Sequence, residues 1–161
     1  MDAIKKVTNQ WALEKPELET EPMAIMGRMM RLAKHLEGEV SELHRQYDLK
    51  MGEFDVLATL RRSGEPYALT PSELLSSLML TSGAMTNRLD KLEAKGLIAR
   101  QHNQEDRRSV TVALTEKGFT LIDSLICKHV AKQQELVRSL NGAQRTELNK
   151  LLKYWLAQFE G

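Results

Sequence analysis

A mainly α fold carrying one small β-hairpin is what this sequence predicts, on three observations. Long stripes of apolar residues at helical spacing occupy both ends of the chain. Two short helices with separate capping signals stand in the middle. Between Leu92 and Gly118 a helix end runs into two apolar β-type runs around a polar loop with adjacent arginines. Two capped helices joined by a turn of about four residues form a helix–turn–helix, and a hairpin that follows it is a wing.

Residues 1–22 are polar, contain Pro16 and Pro22, and predict a short helix or arm around Trp11, then a break. From Met23 to about Tyr47, the positions Met26, Met29, Ala33, Leu36, Val40, Leu43 and Tyr47 alternate three and four apart, which puts one apolar stripe on one helix face. Phe54, Leu57 and Leu60 mark a second helix ending near Gly64, and Tyr67 to Leu69 a short strand. Thr70-Pro71-Ser72-Glu73 carries a cap, a first-turn proline and the acid of a capping box for a third helix. Ser82 is the expected cap of a fourth, with Met85, Leu89 and Leu92 inward and Gly96 as its left-handed end. Residues 97–100 and 109–114 are the hairpin strands, the second alternating with period two. Thr115 caps a long helix to about Leu140, Asn141-Gly142 breaks it, and Leu148, Leu152, Trp155 and Phe159 stripe a last one.

The chain's 161 residues suit one domain with helical extensions, and no apolar run approaches a membrane span or a secretory signal, so a cytoplasmic location and no membrane partner are expected. Cys127 is the single cysteine, which excludes an intrachain disulfide and a Cys-rich zinc motif. The net charge of +1 argues against a nonspecific polyanion binder. Its distribution is less neutral: residues 82–111 hold six basic side chains (Arg88, Lys91, Lys95, Arg100, Arg107, Arg108) against four acidic ones.

On the fourth helix, Gly83, Thr86, Asn87, Asp90 and Lys91 point away from the apolar face. A recognition helix turns its first turns to base edges in the major groove. Asn87 suits a bidentate contact to adenine, and Thr86 a base contact or a thymine methyl. Gly83 allows close backbone approach, while Ser82 and Lys91 suit phosphates. Arg88 stands at the edge of the buried face, where it can reach phosphate, pair with a carboxylate inside the fold or border a ligand cavity. At the hairpin tip, Arg107 and Arg108 have the reach to enter a narrow minor groove, whose negative potential attracts arginine. Asp106 suits an internal partner that orients Arg108.

These segments resemble the MarR family of bacterial transcriptional regulators. The resemblance rests on Phe54 to Leu60 (FDVLATL), Leu69 to Leu78, Met85 to Arg100 (MTNRLDKLEAKGLIAR), and Asp106-Arg107-Arg108 followed by Leu114-Thr115 and Gly118. It covers roughly residues 25–158, the flanking helices by pattern only. It implies a winged helix–turn–helix with N- and C-terminal dimerisation helices: an arm at 1–22, a dimerisation helix at 23–48, the DNA-binding lobe at 49–115 and dimerisation helices at 116–161. It further implies a homodimer on a pseudo-palindrome and a pocket for a phenolic, urate-like or other aromatic anion. A thiol-sensing branch of the family has a reactive cysteine near the start of the first long helix. Here that region holds Met23, Met26, Met29 and Met30, so that mechanism is not expected. A urate-responsive branch has an N-terminal Trp with an internal Asp and Arg, which Trp11, Asp55 and Arg88 resemble.

His35, His44, His102 and His129 form no i,i+4 ligand pair and three metal ligands cannot be assembled, so no metal is expected. No nucleophile elbow, phosphate loop or dinucleotide fingerprint occurs, so neither an enzyme nor a cofactor is expected. The expected function is sequence-specific binding of double-stranded DNA by a repressor that a small ligand releases. The alternative is a helical dimer that binds a ligand or a protein without DNA.

Overall fold

The computed structural model describes residues 1–79, 85–102, 105–106 and 109–161. In chain order come α1 (Ala3–Glu14), α2 (Glu21–Arg45), α3 (Met51–Arg62), β1 (Ala68–Leu69), α4 (Pro71–Ser77), α5 (Met85–Ala94), β2 (Ile98–His102), β3 (Val110–Leu114), α6 (Glu116–Leu136) and α7 (Gly142–Glu160). They fall into two compact units, Met1–Glu42 and Leu43–Gly161. No described helix is long and apolar enough to cross a membrane.

In the first unit, Asp2 caps α1 by accepting the Lys5 N–H at 2.8 Å, and Arg28 of α2 donates to the same carboxylate at 2.9 Å. The Arg28 hydrogen bond, and after it that of Lys5, holds the Asp2 carboxyl below the usual range. Gly27 permits this approach, since a Cβ there would stand 2.8 Å from Ile4 Cδ1. The expected break falls at residues 15–20, around Pro16, and Pro22 lies beyond it. This second proline sits in the first turn of α2, where a missing N–H leaves no hydrogen bond unmade.

In the second unit α3 is the central post. Phe54, Val56, Leu57 and Leu60 pack with Leu74 of α4, Leu89 and Leu92 of α5, Val112 of β3, and Ile122 and Leu125 of α6. Glu53, Asp55 and Thr59 are buried too, so α3 is enclosed on nearly every side. The three strands form an antiparallel sheet in the order β1-β3-β2, with Leu69 opposite Val112 and Arg100 opposite Val112 from the other side. The Thr70 capping box starts α4, as its sequence predicts. Asn141-Gly142 does more than end a helix: Asn141 accepts the Gln144 N–H at 2.9 Å and Gln144 reaches back, so the pair opens α7.

Thr115 and Gly118 build the joint between the lobe and α6. Thr115 Oγ1 accepts the Gly118 N–H at 3.0 Å and donates to the Gly96 carbonyl at 2.7 Å, and the Thr115 N–H donates to Leu97 at 3.1 Å. A Cβ on Gly118 would overlap the Leu97 carbonyl oxygen and lie 2.9 Å from its carbon. The end of α5, the start of β2 and the start of α6 are thus fastened at one point. Farther along, Arg61 of α3 pairs with Asp123 of α6 at 2.9 Å and stacks its guanidinium 4.7 Å from the Phe119 ring centre.

Candidate nucleic-acid interface

The interface is built around α5. Leu89 and Leu92 are buried and Met85 packs against the same core, which fixes the helix's rotation. Thr86, Asn87 and Asp90 are consequently exposed on the opposite side. Two of the residues expected to read or approach bases, Thr86 and Asn87, therefore stand on a free helix face. Ser82 and Gly83 lie outside the described residues.

The wing joins this helix through a residue the sequence reading passed over as a candidate. Arg100, on β2, forms an ion pair with Asp90 through its guanidinium, and its backbone N–H donates to Glu93 Oε2 at 3.2 Å. Asp90 and Glu93 are three apart on α5, so strand and helix are held at two successive points. The signal was present in the sequence as a lone charge in the apolar run Leu97–Ala99 facing an acid pair at helical spacing. Just before β3, the Asp106 carbonyl accepts the Ser109 N–H at 3.0 Å. Arg107 and Arg108, and with them the orienting partnership assigned to Asp106 and Arg108, lie outside the described residues.

Arg88 does not share the outward face. Its guanidinium lies across the first turn of α3, so that a Cβ on Gly52 would stand 2.6 Å from Arg88 Cζ. Its Nη1 is buried without a hydrogen-bond acceptor among the described residues. Lys91 is half-buried on the same flank. Asp55 is a buried residue and not a solvated one: its Oδ1 accepts the Met79 N–H at 3.2 Å just past α4. Trp11 lies on α1 in the first unit and is 41% exposed.

The histidines divide in a way the spacing did not foretell. His44 is only 1% exposed, stacks on Phe54 at 4.0 Å between ring centres, and places Nε2 3.0 Å from His129 Nδ1. Burial, with repulsion from His129 second, pulls the His44 pKa down to about 4, and burial lowers that of His129. This stack ties the end of α2 to α3 and α6. No three His, Cys, Asp or Glu side chains gather at a metal-binding distance among the described residues.

The chain is similar to known regulators over almost its full length. It is 36% identical to the HTH-type transcriptional regulator PecS of Dickeya dadantii over 149 residues, which is 92% of this chain and 90% of PecS. The sequence model of the MarR family matches residues 49–110. The chain is a member of the MarR family.

Among solved structures, a mutant MarR from Escherichia coli complexed with operator DNA superposes with a TM-score of 0.69 at 28% identity, covering 87% of this chain and 99% of that one. A MarR-like regulator from Bacillus cereus shares the fold, with a TM-score of 0.78 at 20% identity over 87% of this chain and 99% of the other. The MarR-family match begins one residue before the Lys50 cap of α3 and ends at the first residue of β3. It therefore contains α3, the helix–turn–helix and the wing as far as the start of β3. The protein is a winged-helix transcriptional regulator and not an enzyme.

Proposed function

We propose that this MarR-family protein is a homodimeric repressor that reads a pseudo-palindromic operator and is released by a small aromatic or anionic ligand. The observation that carries the reading is the free polar face of α5, Thr86 and Asn87, held to the wing base by Arg100. A helix presented this way matches major-groove readout, with Asn87 directed to adenine, Thr86 to a neighbouring base and Lys91 to phosphate. Ser82, Gly83, Arg107 and Arg108 are the remaining contacts in this reading, with Asp106 orienting the wing.

The dimer is supported by α7, none of whose residues is buried within the chain although Leu151, Leu152, Trp155, Leu156 and Phe159 are large and apolar. Such a stripe matches an interface between copies, and a two-fold dimer calls for symmetric half-sites. The ligand reading is supported by Arg88. A guanidinium nitrogen buried without an acceptor is destabilising, and an anion's oxygen would remove that cost. Release follows if the ligand binds the state that does not fit DNA more tightly than the state that does. Trp11 and Asp55 remain proposed ligand residues, Asp55 with its hydrogen bond to Met79 as a competing structural role.

Selection of bound duplexes from a random pool, with the Arg107→Ala/Arg108→Ala variant alongside, tests the reading. A two-fold symmetric site enriched by the wild type and lost by the variant is expected. The enriched duplex is then challenged with aromatic anions, urate included, and Arg88→Ala is expected to hold DNA but to resist release. A folded dimer that enriches nothing favours a ligand- or protein-binding module instead.

A further inference from the structure

We propose that Lys50 and Lys91 form a clamp for a phosphate of the operator backbone, on the edge of the recognition helix opposite the wing. The inference rests on the DNA-binding reading above and adds a contact, Lys50, that lies outside the helix–turn–helix and the wing.

Helical spacing sets Arg88 and Lys91 along one flank of α5, with Lys95 just past its end, and that flank meets the first turn of α3. Arg88 lies over Gly52 at one end. At the other, Lys95 Nζ reaches Glu53 Oε2 at 3.0 Å and Asp48 at 3.8 Å. Glu53 is the carboxylate buried in this turn, and its other oxygen already accepts the Lys50 N–H at 3.0 Å. Lys91, between Arg88 and Lys95, therefore faces the start of α3, where Lys50 is the cap residue, and neither has an ion-pair partner among the described residues.

Two ammonium groups side by side repel. The Lys50 ammonium beside it, a donor with no lone pair to offer, pushes the Lys91 pKa down, and Glu53 offsets this only in part. An anion between them would turn that repulsion into attraction. The position says which anion. A helix about 10–12 Å across fills a major groove about 12 Å wide, so its two flanks face the two phosphate strands that border the groove. On one flank Asp90 and Glu93 carry Arg100 and the wing. The lysine pair is on the other, with Lys91 one turn beyond Asn87 and Lys50 exposed. An open pair of cations beside the reading face fits a phosphodiester. One clamp per subunit would grip the backbone on the side of the helix that the wing does not reach.

The test is the salt dependence of operator affinity for the full-length protein and its Lys50→Ala, Lys91→Ala, double and Lys50→Arg variants. Lys50→Ala is expected to flatten the slope of log K against log salt by about 0.9 per lost phosphate, hence about 2 for a symmetric complex. Lys50→Arg should keep the wild-type slope, and the double variant should lose less than the two singles together, because both lysines share one phosphate. Thermal melts accompany each variant, and Lys50→Ala is expected to melt with the wild type because the α3 cap uses the Lys50 backbone. A native slope in Lys50→Ala overturns the clamp while leaving DNA binding intact. A wild type with no operator and a shallow slope overturns both. A Lys50-dependent rise in melting temperature with inorganic phosphate at fixed ionic strength, with the operator slope unchanged in Lys50→Ala, makes the pair a small-anion site and also overturns the clamp.

Discussion

At Gly118 the fold leaves no room for a side chain. The Leu97 carbonyl occupies the place of a Cβ, and that carbonyl also accepts the Thr115 N–H that starts α6. Backbone on backbone cannot yield as a flexible side chain would, so Gly118→Ala should destabilise the protein by about 1–3 kcal/mol, read by urea denaturation. An unchanged midpoint would mean the joint is looser than this contact implies. His44 sets a second residue-scale expectation. Its pKa in the folded protein, about 4, lies below the ordinary 6.5, so the unfolded chain binds more protons between those values. Stability is complete above pH 6.5 and falls as the pH drops toward 4, by roughly 3 kcal/mol at about 1.4 kcal/mol per pH unit. His129, also lowered by burial, acts in the same direction. Denaturation midpoints of the wild type and His44→Gln between neutral and mildly acidic pH should converge as the pH falls. Parallel curves would remove His44 from the acid response.

Among elements, the relation of α5 to the wing decides whether base reading and minor-groove reach occur together. Arg100 fixes that relation through Asp90 and Glu93. The Asp90 pair is half exposed, so its own contribution to stability is small, about 0.2–1 kcal/mol. Arg100→Ala should therefore barely shift unfolding, yet weaken operator binding by more than it weakens the fold, because helix and wing are no longer preset. Parallel denaturation and operator titration check this, and equal losses would make Arg100 merely structural. The same pair also neutralises Asp90, which would otherwise bring an anion toward the DNA backbone.

For the whole molecule, the apolar stripe of α7 is the feature that the chain by itself leaves without cover. Leu152 is 42% exposed and Phe159 77%. Leu152→Glu/Phe159→Glu should yield a monomer in sedimentation, with the lobe still folded. Linked half-sites gain about 10²–10⁴ in avidity, so operator affinity should fall at least about a hundredfold. A variant that remains dimeric would place the interface elsewhere.

Local chemistry was enough to read the helices, the Thr70 and Thr115 caps, the left-handed Gly96 and the hairpin from the chain alone. Each depends on residues within a few positions of one another, and periodicity and capping act over that range. The outward placement of Thr86 and Asn87 followed for the same reason, once Leu89 and Leu92 fixed the buried side. Other placements depend on which distant segments meet. Arg88 turned inward because Gly52 of α3 left space for it, Asp55 was buried by the turn after α4, and Arg100 found its acids across the sheet edge. The sequence by itself determined the elements, their order and the family. Tertiary structure alone decided which charges face DNA and which brace the lobe, because a side chain's partner is set by packing between segments far apart in the chain.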